Sequence, residues 1–321
     1  MPYLSGITIY PVKSLDGLRL SQASVLPGGA LMHDRRWRLI DSEGAVVNAK
    51  KNTHFHCVRA TFQIEGIEGS GDCSRNRANV VTLSVDESVP GDLSSLGEET
   101  FPLVPGRDGP CGWLSEALKT NVFLQERFEG GFPDDRDAPG PTLISYESLN
   151  EVARWFGWEF EEARRRFRMN LEFTVSEKEA SDDKGSSFQK SMFRRQAFWE
   201  DVLASPSYEF VHITRCQVID ANDSFVEVPV LDPLSFQVGQ SRFRAIGSCR
   251  RCVVPSRDSR TGRLTHLFSD AFEARRRHDL SQYSDTSNWS DFFRLGVNTI
   301  GLGSAGNLTL GDALEAEMKQ G

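Results

Sequence analysis

The strongest constraint on this chain is the rhythm of its first hundred residues. Short apolar runs of strand length are cut by turn signals, and no run carries a long helical period. Gly6 to Val12 brings Ile7, Ile9 and Val12 into one strand-like run. Arg36-Trp37-Arg38-Leu39-Ile40 alternates, Asp41-Ser42-Glu43-Gly44 reads as a turn, and Ala45-Val46-Val47 resumes, which is a hairpin pattern. Val80 to Val85 is a further short strand. The segment Arg127 to Pro141 gathers Gly130, Gly131, Pro133, Pro139, Gly140 and Pro141 with the acids Glu129, Asp134, Asp135 and Asp137, and reads as a linker.

Two helices are expected after it. Leu149, Val152, Ala153 and Phe156 fall at helical spacing behind a possible N-cap at Ser145 and stop at Gly157; Phe160, Ala163 and Phe167 repeat the spacing. Strands return at Asn170 to Val175, Tyr208 to Asp220, Ser224 to Leu231, Phe236 to Gly247 and Asn307 to Leu314, and Glu177 to Gln196 reads as a polar surface insertion. Many short strands and few helices predict a mainly β fold with some α (α+β). The expected layout is an N-terminal β-barrel-like domain over 1–126 packed on a second β-barrel domain over 140–316 with flanking helices, 176–205 forming the insertion.

A chain of 321 residues buries enough surface to fold without disulfides or metal. Its formal net charge of −8 disfavours nucleic acid as a partner, so any anion site has to be assembled from local basic residues. Six cysteines (Cys57, Cys73, Cys111, Cys216, Cys249 and Cys252) are too sparse for a disulfide scaffold. Met1 to Gly6 shows no basic stretch leading into an apolar run, and no stretch of about 18 apolar residues occurs. The expectation is a reduced, cytoplasmic protein with no signal peptide, transit peptide or membrane span.

Four segments carry chemistry. Tyr10-Pro11-Val12-Lys13-Ser14 ends a strand on an ammonium and a hydroxyl. Asp34-Arg35-Arg36-Trp37 opens the hairpin. Phe167-Arg168-Met169-Asn170 joins helix to strand. Ile246-Gly247-Ser248-Cys249-Arg250-Arg251-Cys252-Val253-Val254 precedes Asp258-Ser259-Arg260-Thr261-Gly262. Each of the first three, alone, is commonly surface or capping chemistry. Cys249 and Cys252 admit four readings: half of a structural zinc site, which needs further ligands; a redox pair, which wants a helix N-terminus; two inert buried thiols; or a single thiolate ligand to a transition metal. Arg250 and Arg251 favour the last, because neighbouring cations stabilise a thiolate.

Taken together, in this order and spacing, the segments are similar to the MOSC family, in particular the branch with an N-terminal β-barrel domain ahead of the MOSC domain. That branch includes the mitochondrial amidoxime reducing component and the C-terminal part of molybdenum cofactor sulfurase. The resemblance runs from Leu4 to about Leu314 and implies the molybdenum cofactor, with Cys252 as metal ligand and catalytic residue. It points to Lys13, Ser14 and Arg35 for the pterin phosphate, to Arg168 and Asn170 for the pterin, and more loosely to Ser145. It also carries a family-level association with pyridoxal phosphate binding. The charge pattern agrees, since a guanidinium fork and an ammonium point charge are what a phosphate needs.

The activity implied is a molybdenum-dependent oxidoreductase acting on N-hydroxylated compounds of the amidoxime or hydroxylamine type. No Gly-x-Gly-x-x-Gly fingerprint and no Cys-x-x-Cys-His motif is present, so electrons are expected from a separate donor protein, cytochrome b5-like or a flavoprotein. The alternative is a cofactor carrier or sulfur-transfer protein without turnover. A third reading is an interaction protein on a degenerate fold, with zinc at the cysteines.

The chain is longer between Asn170 and the cysteine motif than amidoxime-reducing members, and Phe198-Trp199-Glu200-Asp201 is a candidate for a segment bordering the site. No aminotransferase-like domain is expected ahead of the MOSC part. His33 is either a proton donor near the metal or an exposed loop histidine. The Arg164–Arg166 and Arg275–Arg277 runs read as solvated helix faces or a docking surface for an acidic partner.

Overall fold

The computed structural model describes residues 1–67, 79–89, 92–175, 197–204, 235–280, 286, 289–303 and 305–316, and the backbone of 213–219 and 225–231. The chain opens with β1 (Pro2–Ile9), β2 (Leu18–Leu20), β3 (Gln22–Val25), β4 (Trp37–Ile40), β5 (Val46–Val47), β6 (Val58–Gln63), β7 (Val80–Val85) and β8 (Glu99–Pro102). Helix α1 (Cys111–Leu118), β9 (Phe123–Glu126), β10 (Leu143–Ser145), α2 (Tyr146–Phe156), α3 (Phe160–Phe167) and β11 (Leu171–Val175) follow. The remainder is a helical turn α4 (Asp201–Ala204), β12 (Ile213–Ile219), β13 (Phe225–Leu231), β14 (Ser235–Val238), β15 (Ser241–Arg250), α5 (Phe268–His278), β16 (Arg294–Gly301), β17 (Gly306–Thr309) and β18 (Leu314–Ala316). The fold is mainly β with helices, as the strand-and-turn rhythm predicts.

The largest sheet runs β18-β14-β15-β16-β10-β11-β1-β2. Its strands are all antiparallel to their neighbours except β10 and β11, which are parallel and joined by the α2–α3 crossover. Helix α2 starts on Ser145, whose Oγ accepts from Ser148 N, and stops at Gly157 in the left-handed region (φ 65°). Leu149, Val152 and Ala153 form its buried face. Helix α3 ends on Arg168, also left-handed (φ 53°), where an L side chain is strained.

Three cores result. One lies against the large sheet and takes Leu4, Ile7, Ile9, Leu20 and Leu31 from the start of the chain together with Phe173, Trp199, Phe243 and Leu314. The second belongs to residues 12–124 and centres on Trp37, Phe55, Leu83 and Leu114. The third is aromatic, packing Trp155, Phe167, Phe198, Phe268, Phe272 and Phe293 under α2, α3 and α5.

Strand pairing crosses the expected boundary at 126. Strand β1 pairs with β11, and β3 pairs with β17, so the start of the chain is built into the second unit. Leu4, Ile7 and Ile9 are fully buried in the core against the large sheet, so apolar burial outranks sequence proximity here. Within the expected insertion, residues 176–196 and 205 lie outside the described residues, but Phe198, Trp199 and Leu203 are buried in the first and third cores.

The arginine runs are not simple solvated faces either. Arg166 is 4% exposed, ion-paired to Glu162 at 2.6 Å and lying over Trp158; Arg276 is fully buried against Asp201. Each has a carboxylate and a ring waiting, which a charge run does not reveal.

Candidate functional site

The motifs come together because their backbones do. Past β1, residues 10–13 run alongside 35–37. Arg35 N donates to Tyr10 O (2.8 Å), Trp37 N to Pro11 O (3.0 Å) and Lys13 N to Trp37 O (2.8 Å). Val12 and Trp37 form a parallel bridge. Tyr10 N donates to Asp34 Oδ1 at 2.8 Å, which ties the two segments at their start.

A cavity of about 650 Å³ opens where this pair of segments faces the end of β15. That size is ordinary for a site holding a cofactor-sized ligand. Lys13, Ser14, Arg35, Arg168 and Cys252 all line it. Ser14 (φ 78°), Arg35 (φ 49°) and Arg168 (φ 53°) are left-handed, so three of the strained non-glycine residues among the described residues lie on this one wall.

Arg35 is held from both sides. Its Nη1 meets Asp34 and reaches Asn170 Oδ1 at 3.5 Å, while Nε and Nη2 each lie 3.1 Å from Asp134 Oδ2. Burial alone would weaken its proton, but Asp34 and Asp134 raise its pKa above the ordinary arginine value. Lys13 Nζ is 2.8 Å from Asp134 Oδ1. Ser14 Oγ accepts from Ala49 N at 3.1 Å. Arg168 donates to Leu15 O at 2.6 Å, and burial lowers its pKa.

Tyr10 lies between Arg35 and Arg168, their guanidinium carbons 5.3 and 4.2 Å from its ring centre. Its hydroxyl donates to Met169 O at 3.2 Å, and burial pushes it up to about 12, so it stays protonated. Tyr10 stands in the first motif, but only the assembled structure shows it as the spacer between two cations.

The cysteines divide. Cys249 is buried, donates to Asn298 Oδ1 at 2.8 Å and is pushed up to about 12 by burial, which outweighs Arg251; it is a neutral thiol. Cys252 follows the end of β15 and is partly exposed on the cavity wall. Arg250 points to Asp291 (2.7 Å), and Arg251 donates to Phe167 O and lies 3.5 Å from Met169 Sδ. Both arginines still line the cavity.

The structure keeps two candidates out of the lining. Asn170 is 1% exposed; its Oδ1 accepts from Thr142 N (3.2 Å) and Oγ1 (3.1 Å), its Nδ2 donates to Thr8 O (3.0 Å), and it braces Arg35 from behind. Ser145 is fully buried as the cap of α2, its Oγ 2.6 Å from Ser148 Oγ. Phe198–Asp201 lie in the core rather than on the cavity. His33 faces a different, smaller cavity, bonds through Nδ1 to Arg36 (3.1 Å), and burial lowers it to about 4, so it is neutral near pH 7. Asp258 Oδ1 accepts from Thr261 N and Oγ1, both at 2.8 Å, and shapes the loop after Cys252.

The wall's charge decides what fits. Ten cationic residues line the cavity (Lys13, Arg35, Arg38, Lys50, Arg127, Arg136, Arg166, Arg168, Arg250 and Arg251) against two acids, Asp134 and Asp135. In a chain of net charge −8 this is a strong local reversal, suited to a polyanionic ligand. A partly exposed thiol on the same wall adds one soft metal donor. Among the described residues no group of three or more His, Cys, Asp and Glu could hold a metal. The donor set therefore fits an anionic cofactor whose metal takes one protein ligand.

Comparison with known proteins bears on the same region. Residues 1–120 match the MOSC N-terminal beta barrel domain. The chain is also similar to molybdenum cofactor sulfurase of Drosophila melanogaster, 25% identical over 210 residues, covering 60% of this chain and 25% of that protein. Molybdenum cofactor sulfurase of Oryza sativa subsp. japonica is 32% identical over 126 residues, 36% of this chain and 14% of that protein. The chain thus spans about a quarter of the length of the Drosophila relatives it matches. No helix among the described residues is long and apolar enough to cross a membrane.

Proposed function

We propose that this chain binds the molybdenum cofactor in the Cys252 cavity and reduces N-hydroxylated compounds with electrons from a separate donor protein. The observation that carries this reading is the meeting of Lys13, Arg35 and Arg168 with Cys252 on one wall lined by ten cations and two acids. Lys13 and Arg35 would hold the pterin phosphate, the one as a point charge and the other through its Nε–Nη2 edge. Arg168 and Tyr10 would shape the wall for the pterin, and Cys252 would supply the thiolate. Asn170 would fix Arg35 from outside the cavity, and Cys249 would remain a neutral donor to Asn298.

When bound, the cofactor supplies two-electron chemistry that no side chain can. The overall reaction converts N–OH to N–H with two electrons and two protons and releases water. A cytochrome b5-like protein or a flavoprotein would deliver the electrons. Cationic residues on the wall would hold an anionic or polar substrate edge beside Cys252.

Molybdenum and pterin content of the protein, made in a host that synthesises the cofactor, tests this. Wild type is expected near one equivalent of each. Cys252→Ala is expected to keep pterin with altered metal, and Arg35→Ala to lose both. Wild type free of molybdenum and pterin would sink the proposal.

The names of the similar proteins favour a second reading, a carrier or sulfur-transfer role without turnover. Reduction of benzamidoxime with an artificial electron donor separates the two. Loaded protein that turns over is the enzyme; loaded protein that does not is the carrier.

A further inference from the structure

The segment between Glu126 and Leu143, which reads as a linker, closes over the two cations best suited to phosphate. Lys13 Nζ meets three acceptors, all from this strap: Asp134 Oδ1 at 2.8 Å, Phe132 O at 3.2 Å and Pro133 O at 3.4 Å. Arg35 spends Nη1 on Asp34 and Asn170, and its free edge, Nε and Nη2, receives Asp134 Oδ2 at 3.1 Å from each. One carboxylate and two carbonyls therefore fill the positions that phosphate oxygens would take.

We propose that Asp134 is a built-in, displaceable occupant of the phosphate subsite, so that a phosphate ester enters by exchanging with it and lifts the strap in doing so. The inference rests on reading Lys13 and Arg35 as the phosphate-binding cations.

Exposure is divided as this requires. The Lys13 and Arg35 side chains are 18% and 10% exposed, whereas that of Asp134 is 54% exposed. The strap is anchored on either side of Asp134. Phe132 N donates to Arg35 O at 2.8 Å, and a Cβ on Gly131 (φ 55°) would stand 2.4 Å from Asp34 O, so this end lies tight against the Arg35 loop. At the other end Ala138 is buried and Gly140 N donates to Thr299 O at 2.9 Å. Asp134 to Asp137 between these anchors are exposed.

The exchange needs no proton. Burial would raise the Asp134 carboxyl, but Arg35 and Lys13 hold it well below the usual carboxylate range, so it is charged at any ordinary pH. A tethered carboxylate competes at an effective concentration on the order of millimolar. Chloride and simple carboxylates gain nothing by replacing it, whereas a phosphate dianion brings more charge and three acceptor oxygens. The strap therefore selects for phosphate over monoanions.

Titration calorimetry with inorganic phosphate on wild type, Asp134→Asn, Asp134→Ala and Arg35→Ala tests this, alongside trypsin cleavage after Arg136. Both Asp134 variants are expected to bind phosphate roughly three- to tenfold more tightly, the scale of one partly exposed ion pair. Arg35→Ala is expected to lose binding, and phosphate is expected to speed cleavage after Arg136 in wild type.

Phosphate binding that is lost in Arg35→Ala but unchanged or weakened in both Asp134 variants overturns this inference and leaves the phosphate subsite standing. Phosphate that protects Arg136 from trypsin overturns it as well. Absence of phosphate binding in all four proteins removes the subsite and this inference together.

Discussion

Asp134 meets Lys13 and Arg35 at the cavity wall with its side chain 54% exposed; Asp201 meets Arg276 inside the aromatic core, where the two side chains are 1% and 0% exposed. Both are carboxylate–cation contacts made across long stretches of sequence. They differ in what water can do. At the wall, solvent or a ligand can take over each partner, so the contact adds little to stability and remains exchangeable. In the core, Arg276 lies over Phe198 with its guanidinium carbon 4.0 Å from the ring centre, and removing its carboxylate strands a charge with no solvent to replace it. Ion pairing suits binding where it is wet and fold definition where it is dry.

Asp201→Ala should have the largest effect, about 3–5 kcal/mol lost in denaturant unfolding. A loss below about 1 kcal/mol would mean that water reaches this core and would erase the contrast. Next is a pH effect at Glu200, which burial and then Asp201 push up to about 7. Its folded value lies above the unfolded one, so between about pH 4.5 and 7 the folded state holds a proton the unfolded state has shed. Stability from this group therefore falls as pH rises through that window, by on the order of 2–3 kcal/mol. Comparing unfolding of wild type with Glu200→Gln from pH 4 to 8 isolates it from His33 and His56, whose values are lowered to about 4 and act in the opposite sense.

Ser145→Ala should lose about 1 kcal/mol through its helix cap and leave pterin and molybdenum content unchanged, measured by unfolding and metal analysis. Loss of cofactor there would show that α2 reaches the ligand. Smallest in stability is Lys13→Ala, expected within about 1 kcal/mol of wild type while phosphate affinity in calorimetry drops. A large destabilisation would mean that the wall cations also define the fold.

The same distinction explains what was legible in the sequence. Lys13, Ser14, Arg35, Arg168 and Cys252 stand in short motifs at element ends, and all five reach the cavity. Their local context places them: the end of β1, the turn before β4, the left-handed cap of α3 and the end of β15. Asp134 was hidden because a Gly/Pro/Asp-rich run looks alike whether it hangs in solvent or straps a site. Arg166 and Arg276 look like solvated charge until Trp158, Glu162 and Asp201 are found beside them. Ser145 reads in the sequence both as a cap and as a cofactor contact; in the structure it caps α2 and lies off the cavity wall. Pattern reading finds groups whose role is set by near neighbours and misses those set by distant partners.

The pairing of β1 bears on how the molecule is made. Strand β1 pairs with residues 171–175, and Leu4 exchanges backbone hydrogen bonds with Gly311 and Asp312. At synthesis rates of about 5–20 residues per second, the first strand waits roughly 15–60 s for its last partners. Throughout that interval Leu4, Ile7 and Ile9 have no finished sheet to enter, and a fragment cut at residue 126 never acquires one. The large sheet is therefore completed late, and Leu4, Ile7 and Ile9 are apolar side chains that wait for it.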